Sequence, residues 1–190
     1  LADPAQLRHC KKLRWLQLDS AGTDGYCVPG LLPEGAVLTN ATGAYGPAIS
    51  EHLLAMTLAL MKDLPLYRDN QRGARAWAPV DWVRYVEGST VLVLGLGDIG
   101  GAYARKMKAL GATVIGVRRA GTDRPDYLDE LHHTQELDTL LPRADVLAMA
   151  LPNTPATQGI MSRERLALMK PSAILLNVGR GNAVDTDALC

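Results

Sequence analysis

Apolar runs that do not alternate with polar residues recur through the second half of this sequence. Such runs are typical of strands that are buried on both faces, as in a parallel sheet covered by helices on each side. Helix signals separate these runs, which gives the βαβ order of an α/β fold. We predict strands at 90–94, 113–117, 145–150 and 173–178, and helices at 98–110, near 135–141 and near 162–169. The predicted fold class is α/β, with a doubly wound parallel sheet in residues 88–190.

Three glycines follow the first predicted strand and open the first predicted helix. Gly95 permits a tight turn, Gly97 lets the backbone approach a pyrophosphate, and Gly100 allows the helix to pack closely on the strand. The N-terminus of that helix also offers N–H donors and the positive end of its dipole to a phosphate. The pattern predicts a dinucleotide-binding turn of the Rossmann type, and a tight turn that binds nothing is the alternative.

The end of the second predicted strand indicates which dinucleotide is bound. Sites for NAD usually have an acidic residue about 20 residues further on, where it accepts a hydrogen bond from the ribose 2′-hydroxyl. Arg118 and Arg119 stand in that region here, and no acid occurs before Asp123. A guanidinium pairs with a 2′-phosphate that a carboxylate would repel. We therefore predict NADP(H) as the cofactor, with NAD possible; two arginines on a solvated loop are the alternative.

Arg180 lies between Gly179 and Gly181, just after the apolar run from Ala173 to Leu176. Open α/β sheets bind ligands at the carboxyl ends of their strands, which is where this arginine is expected. The flanking glycines leave space around the guanidinium and permit unusual backbone angles. This position favours a fixed cation facing a carboxylate-bearing substrate over an ordinary surface arginine.

The first half of the sequence gives shorter signals. We predict strands at Arg14 to Leu18 and Val37 to Thr39, a long helix at Pro47 to Leu64, and a linker at Arg68 to Glu87. Because the long helix is apolar nearly all the way round, it is expected to be buried between domains or between subunits. Helix signals at 2–13 and 185–189 reach both ends of the sequence, so we expect an internal piece of a longer chain.

Composition argues against several classes of partner. The chain has 20 Lys and Arg residues against 20 Asp and Glu residues, so no basic surface points to nucleic acid or to a membrane. Three unpatterned cysteines, Cys10, Cys27 and Cys190, argue against a disulfide framework and favour a cytoplasmic location. The most apolar helix signal, Ile49 to Met61, is shorter than the roughly 20 residues of a membrane span. No metal site is predicted.

Three motifs together resemble the D-isomer-specific 2-hydroxyacid dehydrogenases, in particular the glyoxylate and hydroxypyruvate reductases. These motifs are Gly95 to Gly100, Leu151 to Gly159 and Asn177 to Leu189, and the resemblance covers nearly all of the chain. It implies a Rossmann coenzyme domain inserted into a smaller, discontinuous, flavodoxin-like substrate domain, usually within a homodimer. It also implies an enzyme that transfers a hydride reversibly between NAD(P)H and a small 2-keto acid.

The resemblance also assigns roles to particular residues. Arg180 matches the catalytic arginine, which binds the substrate carboxylate and polarises the carbonyl group. Ala21 and Gly22 match the loop whose backbone N–H groups bind the same carboxylate. The residues that match coenzyme-lining positions are Asp98, Ile99, Leu151, Pro152, Thr157, Val178 and Gly179.

The same resemblance divides the chain into three parts. Residues 1–44 are expected to form part of the substrate domain. Residues 45–87 are expected to supply the helix that joins the domains and helps to build the dimer, followed by a linker. Residues 88–190 are expected to form the NAD(P)-binding domain, truncated at its C-terminal end.

The proton donor of the reaction is expected outside this sequence. In this family the catalytic histidine and its orienting glutamate follow the arginine, which puts them beyond Cys190. We expect His52 to be a hydrogen-bonded core residue, and His132 and His133 to be solvated residues before a peripheral helix. His9 is also misplaced for the role. The segment alone is therefore expected to bind coenzyme weakly at best and not to turn over.

Two other classes of protein stay open. Relatives of this fold can bind coenzyme for regulation, so a nucleotide-sensing or corepressor-like protein is one alternative. A structural dimerisation module is the other. Arg180 between its two glycines favours catalysis over both.

Overall fold

The computed structural model of the chain describes residues 4–73, 75, 77–79 and 82–190. Two compact units follow one another along the sequence, Leu1–Tyr45 and Gly46–Cys190. The domain roles expected for the three parts of the chain stay predictions.

The first unit contains a short parallel strand pair. A 3₁₀ turn at Pro4–His9 precedes strand β1 at Trp15–Gln17, which pairs in parallel with strand β2 at Val37–Thr39. The helix predicted for residues 2–13 is wrong, because the described part of that segment forms only this turn. Leu7 is the only buried residue of the turn, so the segment lacks the apolar face that a longer helix needs.

The second unit begins with two helices where the sequence predicted one. Helix α1 spans Gly46–Met61 and helix α2 spans Leu64–Arg72. Asp63 separates them with a left-handed backbone (φ 51°), and Pro65 follows at the start of α2, where its missing N–H costs nothing. The linker predicted from Arg68 therefore begins inside a helix. Residues 74, 76, 80 and 81 of that predicted linker lie outside the described residues.

Helix α1 is buried on one face only within this chain. Leu53, Thr57 and Met61 are buried, whereas the side chains of Met56 and Leu60 are 39% and 41% exposed. His52 is exposed as well, so the prediction of a core histidine was wrong. Because apolar residues lie on all sides of this helix, its sequence did not indicate which face packs against the rest of the chain. Among the described residues, no helix is both long enough and apolar enough to cross a membrane.

Five parallel strands form the sheet of the second unit, in the spatial order β5-β4-β3-β6-β7. The strands are β3 at Thr90–Leu94, β4 at Thr113–Arg118, β5 at Glu130–His133, β6 at Val146–Met149 and β7 at Ile174–Asn177. The predicted α/β fold with a parallel sheet is confirmed. The order changes direction between β3 and β6, which is the place where open α/β sheets bind ligands.

Helices of different length follow the strands of this sheet. The helix predicted at 98–110 is α3, Asp98–Ala109, and the one predicted near 162–169 is α5, Arg163–Leu168. The helix predicted near 135–141 is reduced to the single turn α4, Leu137–Leu140, between two 3₁₀ turns. Helix α6, Thr186–Leu189, starts at Asp185, whose carboxylate accepts from the Ala188 N–H at 2.9 Å.

Side chains from alternate positions of the central strands enter two separate cores. Val91 and Val93 of β3 pack on the side that also contains Leu53 of α1 and residues of α3. Leu92 and Leu94 pack on the opposite side, with residues of α4. Both faces of the sheet are therefore covered, which explains the unbroken apolar runs in the sequence.

A buried polar contact joins α1 to α3. The Thr57 hydroxyl donates to the Leu53 carbonyl at 2.8 Å, so the Tyr103 hydroxyl, 2.7 Å away, is the donor to Thr57. Burial raises the pKa of Tyr103 to about 12. Nearby, the Lys106 ammonium donates to the Ser50 hydroxyl at 3.0 Å. These bonds fix α3, which follows the glycine turn, against the first helix of the unit.

The Thr57–Tyr103 contact yields a stability prediction. Tyr103→Phe removes one buried hydrogen bond while Thr57 keeps its bond to Leu53, so we expect a loss of about 1 kcal/mol in the free energy of unfolding. Tyr85→Phe is the matched control, because the Tyr85 side chain is 69% exposed and its ring contact with the Lys62 ammonium survives. Urea denaturation of both variants measures the difference. Equal stability of the two variants would contradict the assigned role of the bond.

Candidate functional site

A cavity of about 520 Å³ lies at the carboxyl ends of β3, β4, β5 and β6. Because the strands are parallel, the segments that follow them meet at one edge of the sheet. The cavity is lined by Leu94, Gly95, Leu96, Gly97, Val117, Arg118, Arg119, Thr134, Gln135, Leu151, Pro152, Thr154, Ala156, Thr157 and Ile160. Of the predicted coenzyme residues, this list includes Gly95, Gly97, Arg118, Arg119, Leu151, Pro152 and Thr157.

The three glycines of the turn after β3 differ in how much space a side chain would have at each position. Gly95 has a φ of +91°, and a Cβ there would lie 2.7 Å from the Ala150 carbonyl oxygen. A Cβ on Gly100 would lie 1.8 Å from the Gly95 carbonyl oxygen, so only glycine lets α3 start this close to β3. Gly97 is exposed, and among the described residues nothing other than its two sequence neighbours lies within 4 Å of its Cβ position. The first and third glycines are required by the fold, whereas the second leaves open space beside the cavity.

The N-terminus of α3 faces this open space without a side-chain cap. Gly97 is the N-cap residue, so no side chain of its own occupies the N–H groups of the first turn. Asp98 and Ile99 do not line the cavity. A Cβ added to Gly46 would come within 2.2 Å of the Asp98 Oδ1 atom, which shows how close this carboxylate lies to the start of α1. Ile99 packs against the core.

The two arginines after β4 differ in what they contact. The Arg118 guanidinium donates to the Gly121 carbonyl at 3.0 Å and to the Asp123 carbonyl at 2.7 Å, so it closes its own loop. Arg119 lines the cavity and is exposed, and its side chain makes no hydrogen bond or ion pair with the described part of the chain. Of the two, Arg119 has the guanidinium that forms no hydrogen bond or ion pair with the described residues.

Strand β5 brings two unpredicted residues, Thr134 and Gln135, to the cavity wall. His133 and Glu136 close a capping box around them: the Glu136 carboxylate accepts from the His133 N–H at 2.9 Å. The His133 Nδ1 atom lies 3.3 Å from the Arg118 carbonyl oxygen. Because β5 is an edge strand and only half-buried, its sequence carries no apolar run that would have marked it.

His132 is an ion-pair residue of β5, whereas the sequence predicted a solvated residue before a peripheral helix. Its ring lies between the Glu136 and Glu130 carboxylates, and both raise its pKa. Hydrogen bonds from Arg143 and His132 lower the pKa of Glu130 to about 2. His133 is half-buried on the same strand, so the prediction of a solvated position was wrong for it as well.

The segment after β6 is held by threonine hydroxyls. The Thr157 hydroxyl donates to the Pro152 carbonyl at 2.6 Å, and the Thr154 N–H donates to the Thr157 oxygen at 3.0 Å. These bonds fold the segment over the cavity, where Thr154 and Ala156 line the wall beside the predicted residues.

Arg180 is exposed in the loop after β7 and is not among the residues that line the cavity. The Asn177 side chain shapes this loop, because it accepts from the Gly179 N–H at 2.9 Å and donates to the Arg180 carbonyl at 2.9 Å. A Cβ on Gly179 would lie 2.6 Å from the Leu151 carbonyl oxygen, so the loop touches the segment after β6. Val178 packs on the core rather than in the cavity.

A second amide links the same two segments. The Asn182 side chain donates to Asn153 Oδ1 at 2.9 Å, and the Asn182 carbonyl accepts from the Gly159 N–H at 2.8 Å. Asn177, Asn182 and Asn153 were not predicted as site residues, although all three lie in the motifs that carried the resemblance. The available signal was that Asn153 follows Pro152, Asn182 follows Gly181, and Asn177 precedes Gly179 by two residues.

Ala21 and Gly22 lie in a bend after β1 in the first unit. The Asn40 side chain donates to the Ala21 carbonyl at 2.7 Å, and the Ser20 hydroxyl donates to the Gly22 carbonyl at 3.0 Å. Their binding of a substrate carboxylate through backbone N–H groups stays a prediction.

No group of three or more His, Cys, Asp and Glu side chains that could hold a metal ion occurs among the described residues. Cys10, Cys27 and Cys190 are exposed free thiols.

Comparison with known sequences identifies relatives of this chain. The profile of the D-isomer specific 2-hydroxyacid dehydrogenase, NAD binding domain, matches residues 54–190, which is more than half of the chain. The glyoxylate/hydroxypyruvate reductase B of Pectobacterium carotovorum subsp. carotovorum (strain PC1) is 32% identical over 188 residues, which cover 96% of this chain and 58% of that enzyme. The chain thus spans less than two thirds of the length of this relative.

Two solved structures have a similar backbone. The D-isomer specific 2-hydroxyacid dehydrogenase of Xanthobacter autotrophicus Py2, in complex with NADPH and MES, has a TM-score of 0.81 and 30% identity, covering 93% of this chain and 55% of that one. The D-lactate dehydrogenase of Aquifex aeolicus, complexed with NAD and lactic acid, has a TM-score of 0.81 and 31% identity, covering 94% and 53%. The two relatives carry different forms of the coenzyme.

The glycine turn yields a stability prediction with its own control. Gly100→Ala puts a methyl group into the Gly95 carbonyl oxygen, so we expect a loss of about 3 kcal/mol or more in the free energy of unfolding. Gly97→Ala adds the same methyl group to open space, and its loss should stay below about 1 kcal/mol, the effect of replacing a glycine N-cap. Chemical denaturation of both variants measures these values. A Gly100→Ala variant as stable as Gly97→Ala would contradict the packing role.

Proposed function

Because the chain belongs to the D-isomer specific 2-hydroxyacid dehydrogenase family, we propose that it provides the coenzyme site of an NAD(P)-dependent oxidoreductase. The observation that carries the proposal is the open space at Gly97, at the N-terminus of α3 and the edge of the cavity. No contact with the described residues requires glycine there, so the close approach of a ligand explains it. The reaction proposed for the whole protein is reversible hydride transfer between the coenzyme and a small 2-hydroxy acid.

The residues around the cavity fit the parts of such a coenzyme. We assign the pyrophosphate to Gly97 and the N–H groups at the start of α3, because a helix N-terminus binds anions. The adenosine end is assigned to the segments after β4 and β5, with Arg119 toward a 2′-phosphate, and the other end to the segment after β6. When bound, the nicotinamide ring supplies or accepts the hydride.

Arg180 is assigned to the substrate carboxylate. A planar guanidinium donates two parallel hydrogen bonds to a carboxylate, which fixes the orientation of a 2-keto acid as well as its charge. Asn177 supports this assignment, because its side chain bonds the backbone on both sides of the Gly179–Arg180 peptide. Ala21 and Gly22 are proposed as further carboxylate donors of the whole protein, from the resemblance alone.

Glyoxylate and hydroxypyruvate are the substrates we propose. The support is the relative from Pectobacterium carotovorum, which is named for these two compounds. Both are small 2-keto acids that present a carboxylate beside the carbonyl group. The catalytic histidine and its glutamate, which the family requires as proton donor and partner, are proposed to lie outside the present sequence.

We also propose that the whole protein is a homodimer that buries the outer face of α1. Met56 and Leu60 on that face are large apolar side chains about two-fifths exposed, and Leu64 and Leu66 of α2 are half-exposed. Apolar surface of this kind on one side of a structure is typical of protein interfaces.

The first functional prediction concerns the choice of coenzyme. A charge-assisted pair between Arg119 and a 2′-phosphate is expected to make NADPH bind about ten- to a hundredfold more tightly than NADH. Arg119→Ala should lose that difference, whereas Arg163→Ala, an exposed arginine on α5, should keep it. Arg118→Ala should weaken both coenzymes, because it opens the loop. Fluorescence titration of the four proteins with both reduced coenzymes gives eight affinities, two for each protein. Equal or tighter binding of NADH by the unaltered protein would contradict the prediction.

The second functional prediction concerns Arg180 in the full-length protein. Arg180→Lys keeps the charge but loses the fork, so kcat/KM for glyoxylate should fall about ten- to a hundredfold, and Arg180→Ala should reduce it further. Coenzyme affinity should change less than about twofold, because the side chain lies outside the cavity lining. Arg163→Lys is the control. Near-normal turnover by Arg180→Ala would remove Arg180 from the mechanism. Tight coenzyme binding without any turnover by the unaltered protein would instead favour a regulatory protein.

A further inference from the structure

The ring of His132 is held between two carboxylates. Its Nδ1 atom lies 2.8 Å from Glu136 Oε1, and its Nε2 atom lies 2.9 Å from Glu130 Oε2. An ionised carboxylate only accepts hydrogen bonds, so each ring nitrogen must donate. Only the imidazolium form has a proton on both nitrogens. The geometry therefore requires a positively charged His132.

This cation belongs to a row of alternating charges. Arg143 donates to both oxygens of Glu130, which binds one side of the His132 ring. Glu136 binds the other side of the ring with Oε1 and accepts from the His133 N–H with Oε2. The row runs from Arg143 through Glu130 and His132 to Glu136, and it ends on the backbone of His133.

The end of this row holds the wall of the coenzyme cavity. Thr134 and Gln135 line the cavity, and they lie inside the turn that Glu136 closes on the His133 N–H. The His133 Nδ1 atom also lies 3.3 Å from the carbonyl oxygen of Arg118, which lines the same cavity. A change at Glu136 is therefore transmitted to two segments of the wall by direct contacts.

We propose that His132 is a positioning residue for the coenzyme: its imidazolium holds Glu136 in the cap, so that coenzyme affinity falls when His132 loses its proton. This inference rests on the coenzyme site proposed above. The residue does not touch the cavity itself and acts through Glu136 and the turn at Thr134 and Gln135.

The direction of the pH dependence follows from the charges that face His132. These are Glu136 from the turn, Glu130 from β5, Arg143 behind Glu130, and the neighbouring His133. The carboxylates of Glu136 and Glu130 raise the pKa of His132 above its ordinary value, so its charged form persists to a higher pH than that of an isolated histidine. Above the raised pKa, one carboxylate loses its donor. Arg143 still holds Glu130, so Glu136, whose side chain is 47% exposed, is the one that turns to water.

The test is coenzyme affinity as a function of pH. The full-length protein is titrated with NADPH, followed by its fluorescence, from about pH 6 to about pH 9, a range that starts near the ordinary pKa of histidine and extends above it. The dissociation constant of the unaltered protein should rise about three- to tenfold across this range, the effect of losing a helix cap. His132→Arg should keep the low-pH affinity throughout, because a guanidinium donates to both carboxylates and does not titrate. His132→Gln should bind weakly at every pH.

His9→Gln is the matched control, because His9 is exposed in the first unit and its side chain makes no hydrogen bond or ion pair with the described residues. It should follow the unaltered protein at every pH. Titration of the 2′-phosphate affects all variants alike, so the differences between variants isolate His132. A pH-independent affinity in the unaltered protein overturns the inference, and so does a His132→Arg profile that falls like the unaltered one. Absence of NADPH binding at any pH overturns the proposed coenzyme site itself, and the inference with it.

If His132→Gln does not fold, as judged by circular dichroism, the comparison of the unaltered protein with His132→Arg decides alone. The imidazolium of His132 and the guanidinium of His132→Arg both donate to the two carboxylates. A purely structural contribution would therefore give the unaltered protein and the variant the same pH profile.

Discussion

The close approach of helix α3 to strand β3 is the constraint on which the rest of the second unit depends. A Cβ on Gly100 would lie 1.8 Å from the Gly95 carbonyl oxygen, so the turn between strand and helix exists only with glycine at that position. The turn puts the N-terminus of α3 at the edge of the sheet where the other strands also end. One turn further along, α3 is fixed to α1 through Tyr103 and Thr57. The position of the helix dipole at the cavity is therefore set by packing of α3 against both β3 and α1.

The parallel arrangement of the strands accounts for the way in which distant residues meet. The segments after β3, β4, β5 and β6 are separated by many residues in sequence, yet they form one wall, because parallel strands end at the same edge. Each segment is stiffened locally: Arg118 closes its own loop, Glu136 caps the turn after β5, and Thr157 binds the segment after β6. A preformed cavity of this kind loses little conformational entropy when a ligand binds.

The elements that the sequence predicted correctly are those whose residue pattern has one physical cause. Strands β3, β4 and β6 are buried on both faces, and burial of that kind leaves an unbroken apolar run. Strand β7 is buried only at alternate residues, but its first three residues are also apolar. Edge strand β5 is half-buried and contains His132 and Glu130, so no such run marks it. Helix α1 was predicted too long, and His52 was misplaced, because an all-round apolar pattern does not reveal which face packs. The engagement of Arg118 depends on the conformation of its loop, where Gly121 has a φ of +95°, and no sequence rule supplies that geometry.

The loop of Arg180 and the segment after β6 form one connected structure. Asn177 fixes the backbone on both sides of the Gly179–Arg180 peptide, and Gly179 approaches the Leu151 backbone so closely that no side chain fits between them. Asn182 adds a side-chain bond and a backbone bond to the same segment. On the proposed function, the segment that binds one end of the coenzyme is the one that positions the substrate-binding arginine. Tightly packed segments of this kind shift together rather than independently. This edge of the sheet then sets how the two reactants are placed relative to each other. Glycine and asparagine residues occur here because they hold the two segments together, which charged catalytic groups alone would not do.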